Sequence, residues 1–348
     1  MIFKINKIII TININKLMFK DNRRKDKFDK SKTHFIKNKN APKTKKDIDG
    51  PRVHPAEDRG RAGGSRKENK RIAEDTLEIV EKGFYINQHD EEIKLQLDLM
   101  EAVTYTPDST PFNISNYPKK YENLADSERI IYEIRQQTTL EACFEEYNKK
   151  EPDNIKICAL NFASAKNPGG GFLNGSTSQE ESLARASALY ESIHDSEMYE
   201  FNQEDNNKCL YSHYMIYSTN VPVFRDDNGN ILDKPYTIDI LTCPAVNAKE
   251  ALKRGVTEEI IDATMFSRID RLFSVMVAHG ADILILGSYG CGIFQGSYNT
   301  VSAQFMELLT EKYHGYFKKI IFALLSDADI ETMKKGEYYS PYFYKTTW

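Results

Sequence analysis

The run NFASAKNPGGGFLNGSTSQEESLARASALY, residues 161–190, decides how the rest of the chain is read. It begins at the end of an apolar stretch, IKICALNF (155–162), of the kind that makes a buried strand. It then passes three successive glycines, Gly169, Gly170 and Gly171, and turns helix-like at Ser178. Strand, glycine-rich loop and helix form the unit from which layered α/β domains are built. Three glycines let the backbone approach a ligand with no side chain between them, and they tolerate positive φ. Gln179, Glu180 and Glu181 follow after seven residues and put two carboxylates in the first helical turn, where they can do acid/base work. Together these features suggest a loop that holds a phosphorylated sugar against a general acid.

Outward from this run, the chain keeps alternating. Residues 66–82 (RKENKRIAEDTLEIVEK) set Ile72, Leu77, Ile79 and Val80 among charges and stop at Gly83, which predicts an amphipathic helix. Residues 125–150 carry a second helical pattern, broken near Thr138 and Thr139. Downstream, 178–193 reads as a helix, 210–218 as a strand, 225–230 (RDDNGN) as a turn and 236–242 as a strand ended by Cys243-Pro244. A long helix is expected over 257–278, capped by Thr257 and stopped by Gly280. Strand 281–286, helix 297–312 and strand 319–325 complete the series, and no internal repeat is seen. The expectation is one domain over 65–348, with 65–150 as a helical extension and 151–348 as an α/β core.

A second glycine-rich loop, GSYGCGIFQGS (287–297), also lies between a strand and a helix. Its backbone N–H groups, with a helix N-terminus behind them, form a candidate diphosphate site. The candidate residues are Ser288, Gly290, Cys291, Gly292, Ile293 and Phe294. The spacing lacks the G-x-G-x-x-G pattern with a downstream acid, so a dinucleotide fold is a poor fit. The bland alternative is a tight turn between strand and helix.

Glu181 also has a structural reading. Ser178-x-x-Glu181 fits a capping box, with Ser178 as N-cap and Glu181 reaching back. That accounts for Glu181 but not for Gln179, Glu180 or the glycines. Successive helical residues project roughly 100° apart, so the two glutamates cannot both cap. Asn161 at a strand end and Asn167 before Pro168 fit either ribose hydroxyl contacts or ordinary loop roles.

The whole run resembles the signature of poly(ADP-ribose) glycohydrolases: Gly-Gly-Gly, seven residues, then Gln-Glu-Glu. The flanking NFASAKNPGGGFLNG and QEESLARAS are more similar to the microbial type than to the longer animal type, and the likeness extends over about 65–326. The resemblance implies a macrodomain-like three-layer α/β/α fold with a mixed central sheet. It implies cleavage of ribose–ribose bonds in poly(ADP-ribose), with release of ADP-ribose and no metal or organic cofactor. In its terms Glu181 protonates the leaving ribose oxygen and then activates water, and Glu180 bonds the ribose hydroxyls. Asn161, Asn167, Gly169, Gly170, Gly171 and Gln179 belong to substrate binding, and Phe294 stands by the distal ribose. This chain has Ser164 where the animal-type enzymes have Asn, so that contact is not carried over, and it has Gln295-Gly296 where relatives often show Asn-Pro, which puts the distal-ribose contacts in doubt. Two other functions stay open on the same scaffold: removal of single ADP-ribose groups from protein or nucleic acid, and non-catalytic ADP-ribose binding. Retention of both acids argues against the second, since binding needs the glycines but not two desolvated carboxylates.

Composition sets outer bounds. Residues 1–70 carry 21 Lys and Arg against 8 Asp and Glu, whereas the rest carries 26 against 43. The basic arm, 1–64, reads as a disordered, solvated tail, with contact to polyanions as the functional alternative. The five cysteines show no C-x-x-C pair, and the seven histidines form no metal-binding spacing. The first 20 residues have four lysines and no acids but lack Arg, Ser and a cleavage site, so a mitochondrial leader fits weakly and a secretory one does not. The expected setting is a reducing compartment, cytoplasmic or nuclear, with no membrane span, and the expected state is a monomer.

Overall fold

A Ser65 hydroxyl that accepts the Glu68 amide (3.3 Å) starts the first helix, α1 (Arg66–Lys82), and Gly83 at φ 75° ends it. The computed structural model describes residues 64–109, 112–122, 131–149, 155–204 and 207–337. Residues 1–63 of the expected basic arm lie outside these. The described elements belong to one unit, Gly60–Trp348. A small antiparallel pair follows α1: β1 (Phe84–Ile86) and β2 (Glu92–Lys94).

The main sheet has seven strands in the order β3-β6-β7-β5-β8-β9-β4. They are β3 (Glu101–Tyr105), β4 (Ile131–Arg135), β5 (Ile157–Ala163), β6 (Met215–Arg225), β7 (Ile231–Pro244), β8 (Ile283–Leu286) and β9 (Lys319–Ala323). β3, β6 and β7 pair antiparallel, and β7, β5, β8, β9 and β4 run parallel, so the sheet is mixed. Central strands covered on both faces should be apolar throughout, and β8 is buried along its whole length.

Successive residues of β5 serve opposite faces. Cys158 and Leu160 join a core with Ile269, Leu272, Phe273 and Phe305, which lie on α7 (Glu258–Ala278) and α8 (Tyr298–Glu307). Ile157 and Ala159 join the opposite core, with Leu140 of α2 (Thr139–Asn148), Leu183 of α3 (Gln179–Ala186), Leu189 of α4 (Leu189–Ile193) and Met198 of α5 (Glu197–Gln203). This is the expected three-layer α/β/α arrangement. Two further helices complete it, α6 (Ala248–Lys253) and α9 (Asp327–Glu337).

Several expected elements take another form. The helix read over 125–150 is instead strand β4 followed by α2, with 123–130 and 150 outside the described residues. β4 (IYEIR) buries Glu133 and Arg135, and two charges in five residues mimic an amphipathic helix. Burial is tolerated because Arg135 Nε donates to Glu133 Oε2 (2.6 Å) and Lys319 Nζ to the neighbouring Glu146 (2.9 Å). The 65–150 segment therefore holds α1 but also the β1–β2 pair and both edge strands of the main sheet. The helix read over 178–193 divides at Ser187, whose backbone bridges to Val223 and whose hydroxyl donates to Leu183 O (2.7 Å). Strands β6 and β7 outrun their expected bounds because the Asp226 carboxylate accepts the Asn228 and Asn230 amides and lets the hairpin pair down to Arg225. Past α8 the chain makes a wider π-helical turn, Leu308–Lys312.

Candidate active site

β5 and β8 are parallel neighbours, so the loops that leave their carboxyl ends open on the same edge of the sheet. Ligands of open parallel sheets bind at that edge. The loop roots touch: a Cβ at Gly287 would lie 2.9 Å from the Phe162 ring.

In the first loop the acids face the glycines. The Gly171 amide donates to Glu181 Oε1 (2.9 Å). The Ser164 amide donates to Glu180 Oε2 (2.7 Å), and Asn161 Nδ2 lies 3.4 Å from Glu180 Oε1 and 3.2 Å from Thr242 Oγ1. Gly170 sits at φ 60°, and a Cβ there would fall 2.5 Å from Glu181 Oε1 and 3.0 Å from Glu180 Oε2. Any side chain would thus displace both carboxylates. Glu180 is 3% exposed and Glu181 8%. Burial pushes the Glu180 carboxyl up to about 8; the Ser164 amide opposes this, and the charge of Glu181 adds to it. Glu181 Oε2 is enclosed with no hydrogen-bond partner among the described residues.

The capping box does not form. Ser178 makes no side-chain cap bond, and Glu181 turns to the Gly171 amide instead. Gln179, expected to bind substrate, is committed to the protein. Its Oε1 accepts the Phe162 amide (2.9 Å), and its Nε2 donates to Leu160 O (2.8 Å) and Thr139 Oγ1 (3.1 Å). It pins the end of β5 to α3 and α2, which makes it a positioning residue. Asn167 is exposed, its carbonyl accepts the Gly170 amide (3.0 Å), and its own amide donates to Ser164 Oγ (3.2 Å). Gly169, at φ 66°, packs where a Cβ would meet Phe172 at 2.8 Å.

Helix α1 latches this loop from behind. Arg66 Nε donates to Asn174 O (2.8 Å), Thr76 Oγ1 to Arg185 O (2.6 Å), and Ala73 packs on Phe172 and Ala184. The buried Arg185 guanidinium donates to the Ser176 carbonyl.

The second loop is arranged differently. The Gly296 amide closes it onto Gly290 O (3.0 Å). The amides of Ser288, Gly290, Gly292, Ile293 and Phe294 make no hydrogen bond among the described residues. Those five N–H groups suit an anion. The Ser288 hydroxyl donates to Asp329 Oδ2 (2.7 Å), which leaves its backbone for a ligand. The Cys291 amide donates to Ser288 O, its thiol donates to Tyr289 O (3.3 Å), and burial pushes that thiol up to about 12. Cys291 is a packed residue rather than a nucleophile. Ile293 is 76% exposed. Phe294 rests against Tyr211 (6.0 Å between centroids), and its carbonyl accepts the Lys249 amide (3.0 Å).

The reading of the sequence missed Thr139 as a support of Gln179 and Ser164 as a support of Glu180. Ser164 acts through its backbone, which no residue type announces. Thr139 sat at what looked like a helix break.

A family model described as microbial-type PARG, catalytic domain, matches residues 73–226, which include the first loop and α3. No curated protein matches the chain. Poly(ADP-ribose) glycohydrolase from Thermomonospora curvata is similar at 31% identity, over 78% of this chain and 99% of that one, with TM-score 0.68. The same enzyme bound to the inhibitor ADP-HPD gives 0.66 at 31% identity, over 77% of this chain and 99% of that one. The Deinococcus radiodurans enzyme in complex with ADP-ribose gives 0.58 at 31% identity, over 68% of this chain and 93% of that one. With both acids and the first loop inside the matched residues, and with 31% identity to a solved glycohydrolase that the chain covers over 99% of its length, the chain belongs to the microbial-type poly(ADP-ribose) glycohydrolases.

Proposed function

We propose that Glu181 is the general acid/base that cuts the ribose–ribose bond of poly(ADP-ribose) and releases ADP-ribose. The observation that carries this is the packing of both carboxylates against Gly170, with one Glu181 oxygen held by the Gly171 amide and the other without a partner among the described residues. A carboxyl fixed through one oxygen, with the other left unbonded, can deliver a proton in one direction. Glu181 gives its proton to the leaving ribose oxygen as the C–O bond breaks. The oxocarbenium sugar then takes hydroxide from water, and that water's second proton returns to Glu181. The acid is consumed and regenerated, so the sum is hydrolysis.

Glu180, raised to about 8 by burial, holds its own proton at neutral pH. Its role is to bond the ribose hydroxyls and position the scissile bond. The five amides of the second loop hold the diphosphate, and Phe294 stands by the distal ribose. The basic arm, residues 1–64, adds non-specific attraction for the anionic polymer.

Removal of single ADP-ribose groups is the second reading, since the same acid and loops would serve it. Purified poly(ADP-ribose) and a mono-ADP-ribosylated protein, each offered to wild type, Glu181→Gln and Glu180→Gln, separate the two. The expected result is polymer cleavage lost by about 10³-fold or more in Glu181→Gln, with ADP-ribose binding kept. Polymer cleavage that survives Glu181→Gln would remove Glu181 from this role.

A further inference from the structure

We propose that the Asp329 carboxylate sets how tightly the second loop holds the diphosphate, weakening the grip so that the product leaves. This rests on the reading of 288–294 as the diphosphate loop. β9 is the parallel neighbour of β8, with Phe322 opposite Leu286, so the chain that leaves β9 surfaces beside that loop. It enters α9 through Ser326, whose hydroxyl oxygen accepts the Asp329 amide (3.3 Å). Acids suit a first helical turn, and exposed Asp327 is an ordinary case, bonded to Gln136 Nε2 (2.9 Å). Half-buried Asp329 turns to the loop instead, where its Oδ2 accepts the Ser288 hydroxyl (2.7 Å). Its charge is felt along the loop: it adds to burial in pushing up the Cys291 thiol and the hydroxyl of Tyr298, the first residue of α8.

For an anion site the loop has an unusual charge balance. Residues 287–297 (GSYGCGIFQGS) hold no charged side chain. Among the described residues no cationic side chain is hydrogen-bonded to them, whereas a carboxylate is. Five amides attract a diphosphate, and the carboxylate opposes it. The bond to Ser288 adds a second effect. A carboxylate only accepts, so the proton of that bond is the serine's, and serine has one to give. The Ser288 oxygen keeps lone pairs, which do not bind a phosphate oxygen. Asp329 therefore withholds a donor from the ligand and adds a like charge. Released ADP-ribose carries the same diphosphate as the bound unit, so contacts that hold the substrate also hold the product. Binding shared in this way does not speed bond cleavage, and it slows release. The carboxylate lowers that shared binding without touching the acids of the first loop.

The test compares the full chain with Asp329→Asn and Asp327→Asn, read by calorimetric Kd for ADP-ribose and by stopped-flow dissociation. Asp329→Asn should bind ADP-ribose about tenfold more tightly, mainly through slower dissociation. Asp327→Asn, in the same helical turn, should change Kd by less than about twofold. The gap between wild type and Asp329→Asn should narrow as salt is raised. A contact that merely shaped the loop would weaken binding when altered, so looser binding in Asp329→Asn overturns the proposal. An unchanged Kd does the same, and so does an equal shift in Asp327→Asn. Asp329→Ser removes the charge with a smaller side chain and keeps the point testable should the asparagine variant fail to fold; tightening is again expected. These readouts need no turnover, so failure to cut polymer would count against the hydrolase reading alone. A wild type that binds no ADP-ribose overturns the diphosphate reading of the loop and this proposal together.

Discussion

The two glycine-rich loops leave neighbouring strands at the same edge of the sheet, but they use their backbones in opposite ways. In the first, amides of Ser164 and Gly171 hold the protein's own carboxylates, and Gly170 is the space those carboxylates occupy. In the second, five amides have no partner among the described residues and the side chains turn aside, Ser288 to Asp329 and Tyr289 to Cys243. One loop organises charge that the protein owns. The other leaves its donors unbonded, which suits an incoming anion. Glycine content alone does not tell these apart; what each glycine lies against does.

The comparison can be broken most directly at Gly170. Gly170→Ala must displace both acids, so kcat should fall by about 100-fold or more, and steady-state kinetics on polymer will show it. A variant that keeps its kcat would mean the acids tolerate displacement and the first loop is not a fixed cradle.

Charge burial gives the next test. Unfolded, the Glu180 carboxyl titrates near 4.5; folded, it titrates near 8. Below 4.5 it is protonated in both states. As pH rises towards 8, the unfolded chain gains by ionising and the folded one does not, so stability falls by up to about 1.4 kcal/mol per pH unit. Glu180→Gln removes that loss. Melting temperatures taken from pH 5 to 8 should show the variant gaining on wild type as pH rises, and parallel curves would refute the buried-charge account. Second-loop variants should show no such divergence.

Gly290→Ala, at φ 77° with its Cβ 2.7 Å from Ala245, should raise KM and the Kd for ADP-ribose about tenfold, with kcat within about threefold. Gly292→Ala meets nothing within 4 Å and should change either constant by less than about twofold. Calorimetric titration with ADP-ribose separates these cases. A kcat collapse in Gly290→Ala would erase the division of labour between the loops.

Much of this was legible where the signal is local. The bounds of α1 follow from Ser65, Gly83 and the apolar spacing between them, all of which act within one helix. The two loops were visible because glycine runs between a strand and a helix have few other uses. The edge strands were not legible. β3 is mostly exposed and exists because β6 pairs with it, and β4 hides Glu133 and Arg135, which pair with each other while Arg135 also reaches Glu146 on α2. The capping box failed for a similar reason: Ser178 and Glu181 have the right spacing, but a competing amide ten residues upstream takes the carboxylate. Distant partners, not local propensity, decided each of these.

The latch of α1 on the first loop has a consequence for where the smallest active chain begins. The sheet, both glutamates and the anion loop all lie after Gly83, so a chain cut there would still hold every atom named in the chemistry. It would lack the Arg66 and Thr76 bonds and the Ala73 packing that close the first loop from behind. Such a truncation separates having the groups from having them in place. The expected outcome is loss of polymer cleavage in a chain that begins at Gly83 and its retention in one that begins at Ser65, roughly a hundred residues ahead of the two glutamates.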